Sequence, residues 1–518
     1  MNRFHEQVTA PYPSAIMGSG KGLSAVKKRY FWTCAATGTL ALAGAMAAAP
    51  SVIGQQRAIR TVSSINPQEK EAGAKQHPQL LEEFGGAYAG PQAKYVEGVG
   101  RRIAVQSGLS NAQGDFTVTL LNSPVNNAFA IPGGYVYVTR QLMALMNDEA
   151  ELAGVLGHEI GHVAAQHGQR RQKTAQRNAV GGALLQVLTG ALLGDSAIGG
   201  LLQKGIGTGS QLLTLKFSRS QEYEADDLGI RYLASGGYDP RALSDMLASL
   251  AAQSSLDSRV MGNAGAMPEW ASTHPDPASR VGRAAREAQR SGSTSTVRNR
   301  DAFLNAVDGV LYGDDPKQGV IEGSRFRHPD MRLAFTAPSG FGMENGATAV
   351  TVAGSGGQAQ FSAAPYSGNL AAYIDSVLAR LGGGKAPEGD VSRTTVNGLP
   401  AAWRTVRANT QSGQVDATVF AYDFGGGKAY HFLLLTGAGQ GVGPFASMVQ
   451  SVQRLSAQDA AAIRPRRVEV VTVKAGDTVQ SLAKRMAYSD SPLERFLTIN
   501  ALTAQSVLRP GQRVKIIV

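Results

Sequence analysis

Cysteine is almost missing from this chain. One residue, Cys34, occurs in 518 positions, so no disulfide framework organises the fold. Charge is sparse as well: Asp, Glu, Lys and Arg make up 17% of the residues, against 43% hydrophobic ones. That balance excludes an extended disordered chain and describes a globular protein. No repeat of solenoid length occurs, and no nucleic-acid-binding motif accompanies the net charge of +11. The basic residues are scattered, apart from Lys27-Lys28-Arg29 and Arg466-Arg467. That pattern fits general solubility rather than a nucleic acid partner.

Two uncharged runs bear on export and membrane contact. Tyr30 to Gln56 follows the basic cluster and ends in "AMAAAPS". A basic start, an apolar centre and Ala-x-Ala options predict an export signal cleaved near Ala47–Ala49, with an uncleaved membrane anchor as the alternative. Cleavage there removes Cys34, and residues 1–54 are set aside from the fold. Asn178 to Gly194 is short and glycine-rich, which predicts a buried or surface-lying helix near the cleft rather than a span.

What is present is too long for one core, and roughly two to four domains are expected. Residues 65–110 read as two helices closed by glycine. Strands follow in "DFTVTLLNSP" (115–124) and "YVYVT" (135–139), with Gly133-Gly134 as a turn between them. "NDEAELAGVLGHEIGHVAAQHGQ" reads as a helix with Asn147 as N-cap and acids in its first turn. A helix over 218–237 ends at Gly236-Gly237, and the next starts with Asp239 as cap and Pro240 at its first position. "STHPDPASRVGRAAREAQ" is a loop and then a basic helix, closing a domain over 55–312. Alternating strands with two amphipathic helices, "NLAAYIDSVLARLG" and "FASMVQSVQRLS", predict an antiparallel α+β domain over 318–456. A short linker around Arg464–Arg467 leads to a strand-helix-helix-strand unit over 466–518.

Histidine is rare, with 8 residues, yet "LGHEIGHVAAQHG" places His158 and His162 four apart with Glu159 between. On a helix, i and i+4 share a face, so both imidazoles reach one ion. Zinc takes imidazole at about 2.0–2.1 Å, and a catalytic site wants three protein ligands and an open position. Glu159 is placed to take a proton from the water the metal activates and to deliver it to the leaving amine. Chance gives roughly 0.01 occurrences of this motif in such a chain. A metzincin needs His at 168 and Gly at 165; Gly168 and Ala165 stand there. His167 falls one short and is assigned to the helix end. The third ligand is therefore sought in "EYEAD": Glu222 as ligand, Asp226 one turn on holding a ligating histidine, and Glu224 as rival ligand.

"HEIGH", then "SRSQEYEADDLG" some sixty residues later, with "NAFAIPGG" upstream, resembles the zinc metallopeptidases of the CAAX prenyl endopeptidase and HtpX class. The likeness covers roughly residues 70–300 and is closest to their soluble periplasmic BepA-type members. The resemblance implies Glu222 as third ligand and one zinc ion per chain. It gives His274, in "STHPDPASR", a role in a self-inhibited resting state or in the transition state, with Arg280 as helper. "NAFAIPGG" offers Asn127, Ala128 and Phe129 as a strand edge for an extended peptide, or as ordinary core. The C-terminal 51 residues resemble a LysM module, in "VKAGDTVQSLAKRM", "FLTIN" and "LRPGQRVKI". That likeness implies binding of N-acetylglucosamine-containing glycans such as peptidoglycan, shaped by Gly476, Asp477 and Thr478.

The expected architecture is α+β and multidomain. A mainly helical zincin domain of gluzincin type with a small sheet comes first, then an antiparallel α+β domain, then a βααβ LysM-like module. The expected function is a zinc endopeptidase of the periplasm acting on misfolded or stalled envelope or outer-membrane polypeptides. Peptidoglycan and the outer-membrane assembly machinery are its expected partners. Two alternatives are a wall-attached chaperone or scaffold whose peptidase is shut, and a hydrolase of peptidoglycan stem peptides.

Overall fold

The first two helices follow directly from their caps. Asn66 accepts from the Gln68 N–H and Pro67 opens α1 (Pro67–Glu83); Pro91 opens α2 (Pro91–Ala104), where a missing N–H costs nothing. The computed structural model describes residues 61–109, 111–171, 217–260, 270, 273–381, 384, 386–410 and 413–518. The export signal and the apolar run at 178–194 lie outside the described residues.

A three-stranded sheet of order β1-β3-β2 is built from β1 (Thr117–Leu121), β2 (Ala128–Ile131) and β3 (Tyr135–Thr139). β1 runs parallel to β3 and β2 antiparallel to it, so β2 is an edge. After α3 (Arg140–Leu145) comes α4 (Glu149–Ala164), which carries the HEIGH motif and is buried on nearly every side. A helix apolar all round belongs in the middle of a core, and α2, α5 (Arg219–Ser235), α6 (Ala242–Val260) and β2 all pack on it. α7 (Pro277–Arg290) lies against α5 and α6.

Two expected caps shift. The N-cap of α4 is Asp148, not Asn147: Asp148 Oδ1 accepts from the Glu151 N–H at 2.9 Å, while the Glu151 carboxylate reaches back to the Asn147 N–H at 2.8 Å. α6 starts at Ala242, because the Asp239 carboxylate first accepts from the Arg241 N–H and from both the Arg241 and Arg298 guanidinium groups, which closes a turn ahead of the helix.

Residues 320–454 hold β5 (Val320–Glu322), β6 (Arg325–His328), β7 (Leu333–Thr336), β8 (Gly342–Asn345), β9 (Val350–Gly354), β10 (Gly357–Ala363), β11 (Ser392–Val396), β12 (Leu399–Thr410), β13 (Gly413–Gly425), β14 (Lys428–Gly437) and β15 (Gln453–Arg454), which form a seven-stranded antiparallel sheet, order β11-β12-β13-β14-β10-β9-β8, and a four-stranded one, order β15-β7-β6-β5. One face of the large sheet packs on Phe326, Phe335 and α9 (Ala446–Ser451). The other is covered by α8 (Leu370–Leu381) through Tyr373, Ile374 and Val377. The segment "FASMVQSVQRLS" is helical only to Ser451; Gln453–Arg454 then form β15 on β7, where they complete a sheet edge.

The C-terminal unit is β16 (Arg466–Thr472), α10 (Val479–Ala483), α11 (Pro492–Ile499) and β17 (Arg513–Ile517). Its leading residues are not a linker. Arg466 and Arg467 pair with Tyr312 and Leu311 of β4 (Leu311–Tyr312), extending the β16–β17 pair to three strands. Val468, Phe496, Val514 and Ile516 share one apolar cluster with Ile103, Leu142 and Leu156. From β17, the fully buried Lys515 donates Nζ to Ala144 O at 2.8 Å, to Leu145 O at 3.3 Å and to Met146 O. These carbonyls end α3 and have no helical partner of their own. Burial pushes the Lys515 ammonium down to about 7 against the opposing pull of Glu151.

Lys515 therefore joins the C-terminal unit to the connection between α3 and α4. Lys515→Ala removes the lysine donor from three buried carbonyls, leaving only Leu145 O with the Asn147 amide at 3.2 Å, and its expected cost is about 2–5 kcal/mol. Urea unfolding followed by near-UV circular dichroism reads this. An unchanged midpoint for the aromatic signal would mean the unit hangs free of the helical core.

Candidate metal centre

α4 and α5 approach closely because their contact line is glycine. A Cβ on Gly157 would sit 3.4 Å from Gly229 Cα, one on Gly229 3.1 Å from His158 N, and one on Gly161 3.0 Å from Leu228 Cβ. Real side chains there would push the helices apart. Ser218 and Gln221 form a capping box that fixes the start of α5, and Glu222 and Asp226, one turn apart, face the histidines of α4.

His158, His162, Glu222 and His274 each bring a ligand atom to one point, all within 4.8 Å of one another. His158 Nε2 and His162 Nε2 are 3.1 Å apart. Glu222 lies 3.6 Å from each of them. His274 Nδ1 lies 3.4 Å from His158 Nε2 and 3.2 Å from Glu222. Four ligands at about 2.0–2.1 Å from a tetrahedral ion are separated by about 3.3–3.4 Å, so this donor set fits zinc. Glu159 stands beside it, wholly buried, with neither carboxylate oxygen hydrogen-bonded; His274 Nε2 is 3.5 Å away. Buried polar atoms are seldom left without partners, and this one faces the reaction space.

The surroundings set the charges. Burial raises the Glu159 carboxyl above its ordinary range, against His274 and His158, which lower it. Burial acts the same way on Asp226, but Arg280 and His158 outweigh it and hold Asp226 far below the usual aspartate range. Arg280 donates Nε and Nη2 to Asp226 at 3.0 and 2.5 Å. Its Nη1 comes within 2.5 Å of Glu222 as an ion pair, without hydrogen-bond alignment. Asp226 in turn lies 3.0 Å from His158 Nδ1. Glu222 is lowered by His274 and Arg280 in spite of burial, and His274 is raised by Glu222 and Glu159 in spite of burial.

The other expected residues lie elsewhere. Glu224, the rival ligand, turns away from the cluster and binds His167 and Arg170. Asn127, Ala128 and Phe129 are buried, with Phe129 stacked on Tyr137. The Asn127 amide has no hydrogen-bond partner. Gly476 is open to solvent at φ +88°, whereas Asp477 Oδ2 accepts from Lys474 N–H at 2.7 Å and Thr478 caps α10. Sequence reasoning passed over two aromatic residues. Phe217 stacks on His162 with centroids 3.9 Å apart, and Trp270 stacks on His274 at 4.4 Å. Their only signal was position, just ahead of "SRSQEYEAD" and "STHPD".

Residues 91–288 match the family model described as Peptidase family M48, and residues 471–516 match the LysM domain. The chain is similar to the beta-barrel assembly-enhancing proteases of Yersinia pestis, 32% identical over 230 residues, covering 43% of this chain and 44% of that one. The corresponding protein of Escherichia coli K12 is 31% identical over 217 residues, covering 41% and 42%. Mitochondrial metalloendopeptidase OMA1 of Schizosaccharomyces pombe is 29% identical over 216 residues, covering 41% and 59%. The chain thus spans less than half the length of the first two relatives. No described helix is long and apolar enough to cross a membrane.

Arg280→Met leaves Asp226 and Glu222 buried without their cation, and removing one partner from a buried ion pair costs about 3–5 kcal/mol. Urea unfolding with excess chelator, which takes metal out of the comparison, measures it. A loss below about 1 kcal/mol would mean that the guanidinium is not what holds the carboxylates.

Proposed function

We propose that this chain, with its Peptidase family M48 domain and its LysM domain, is a zinc-dependent endopeptidase using one ion per chain. The observation that carries this reading is a set of four buried ligand atoms within 4.8 Å of one another, beside a buried carboxylate with no hydrogen bond of its own. His158, His162 and Glu222 hold the metal, and Asp226 fixes the ring of His158. Zinc, when bound, supplies Lewis acidity toward a peptide carbonyl and toward water. Glu159 takes the proton of the attacking water and passes it to the departing amine. The outer edge of β2, around Asn127, Ala128 and Phe129, aligns the substrate as an added strand. Arg280 keeps Asp226 and Glu222 ionised and in place.

The substrate class is polypeptide, drawn from misfolded or stalled envelope and outer-membrane proteins. The name shared by several relatives, a protease that enhances β-barrel assembly, supports that choice and a link to the assembly machinery. The chain works in the periplasm, and the LysM domain holds it to peptidoglycan, with the open backbone at Gly476 and the turn through Asp477 and Thr478 forming part of the groove.

A second reading has its own support. His274 stands at the fourth corner of the ligand set, where a substrate carbonyl or water has to enter, so the enzyme rests shut. The protein is then a wall-attached scaffold until that histidine is displaced.

Metal content and casein cleavage test the first reading. Glu159→Gln is expected to keep its zinc and lose about 10²–10⁴-fold in turnover, whereas Glu222→Ala loses most of the metal. A Glu159→Gln protein that cleaves casein like wild type would end it. For the second reading, His274→Ala is expected to cleave casein faster than wild type; a rate no higher rules out the shut state.

A further inference from the structure

The histidine one place short of position 168 is not a bystander at a helix end. On a continuous helix, a residue five after His162 points about 140° away from it. Here the helix stops at Ala164, and Gln166 takes a left-handed conformation, φ 53°, which costs a non-glycine residue about 1–2 kcal/mol. The chain doubles back. His167, wholly buried, brings its Nδ1 to 2.8 Å from His162 Nδ1. Its backbone carbonyl accepts from Gln221 Nε2 at 3.2 Å, which ties the turn to the capping box of α5. On the far side, His167 Nε2 lies 3.0 Å from Glu224 Oε2, and Arg170 Nη1 donates to the same oxygen at 2.7 Å.

We propose that His167 and Glu224 are positioning residues for the metal ligand His162, forming a relay His162–His167–Glu224–Arg170 that fixes its tautomer and ring plane. The argument is a count of protons, and it rests on His162 being a ligand as proposed above. His162 turns Nε2 toward the ligand cluster, so its proton sits on Nδ1. Two facing Nδ1 atoms form a hydrogen bond only if one donates and one accepts. His162 donates, so His167 Nδ1 is bare and the His167 proton sits on Nε2, where it meets the Glu224 carboxylate. Every donor finds an acceptor, and the chain ends on an arginine-held carboxylate. The other histidine has the same arrangement in shorter form, His158–Asp226–Arg280. Each imidazole is thus backed by an anion and a cation, and His162 needs the extra ring because Glu224 projects from a different face of α5 than Asp226 does.

Partners of this kind change metal affinity by about 10–100-fold. The test is the zinc dissociation constant of the full chain, by competition with a chromogenic chelator, for wild type, His167→Phe, His167→Asn and Glu224→Ala. Phenylalanine fills the space but accepts no proton; the asparagine carbonyl accepts one. His167→Phe is expected to weaken zinc binding about 10–100-fold, with His167→Asn recovering most of the loss. Long-range ¹⁵N spectra of the zinc-loaded wild type should place the His162 proton on Nδ1. If His167→Phe fails to fold, Glu224→Ala at the more exposed end of the relay decides alone, with an expected loss of several-fold. Zinc affinities within two-fold of wild type in the folded variants, with wild type itself binding zinc, overturn the relay and leave the metal site intact. A wild type that binds no zinc overturns the site itself, and the relay with it.

Discussion

The structure depends on how near two helices can come. α4 carries imidazoles and α5 carries carboxylates, and a site forms only if their axes are close enough for one ion to touch both. The glycines at 157, 161 and 229 remove the side chains that would keep them apart, so His158 N would meet even a single added carbon at 229 within 3.1 Å. Packing at that density is unforgiving. It also excludes water, which strengthens every electrostatic interaction inside. The apolar burial of α4 therefore belongs to the chemistry as much as to the fold.

What could be read from sequence was whatever repeats at one helical turn. His158 and His162, and then Glu222 and Asp226, are each i and i+4 pairs, and both pairs meet in the structure. The helices of the peptidase region were legible for the same reason, and its strands from β-branched and aromatic runs bounded by turn residues. What escaped depends on backbone that leaves its element. His167 faces His162 only because Gln166 breaks the helix, and helical spacing assigns it to the wrong side. Asp148 displaced Asn147 as cap because Glu151 folds back on the neighbouring N–H, a choice between adjacent polar residues that composition does not settle. Arg466 and Arg467 read as a linker because pairing with Leu311 and Tyr312 joins segments more than 150 residues apart. Lys515 was invisible as a buried group, since a lysine in a closing strand normally faces solvent.

The C-terminal unit differs from a module on a flexible tether. Its strand pairing, its shared apolar cluster and Lys515 fasten it to the segment that leads into α4. Its open turn at Gly476 follows β16 by four residues. A polymer seated in this turn would thus hold the peptidase in a fixed orientation. A tethered domain searches a volume, whereas one fastened in this way keeps a set orientation to the rest of the chain.

Charge gives a separate argument for what the cluster holds. Glu159, Glu222 and Asp226 are buried with one guanidinium, Arg280, so full ionisation leaves two negative charges that no second guanidinium answers. Such an excess is costly in a medium from which water is excluded, and burial first, with Glu222 adding to it, raises Glu159. A monovalent cation would answer half of the excess, and a further arginine would need space that the packing does not leave. A divalent ion at the shared corner cancels it in full, and would return Glu159 to the ionised form that a proton acceptor requires. The three carboxylates therefore place at one corner a concentration of negative charge that suits a small dication.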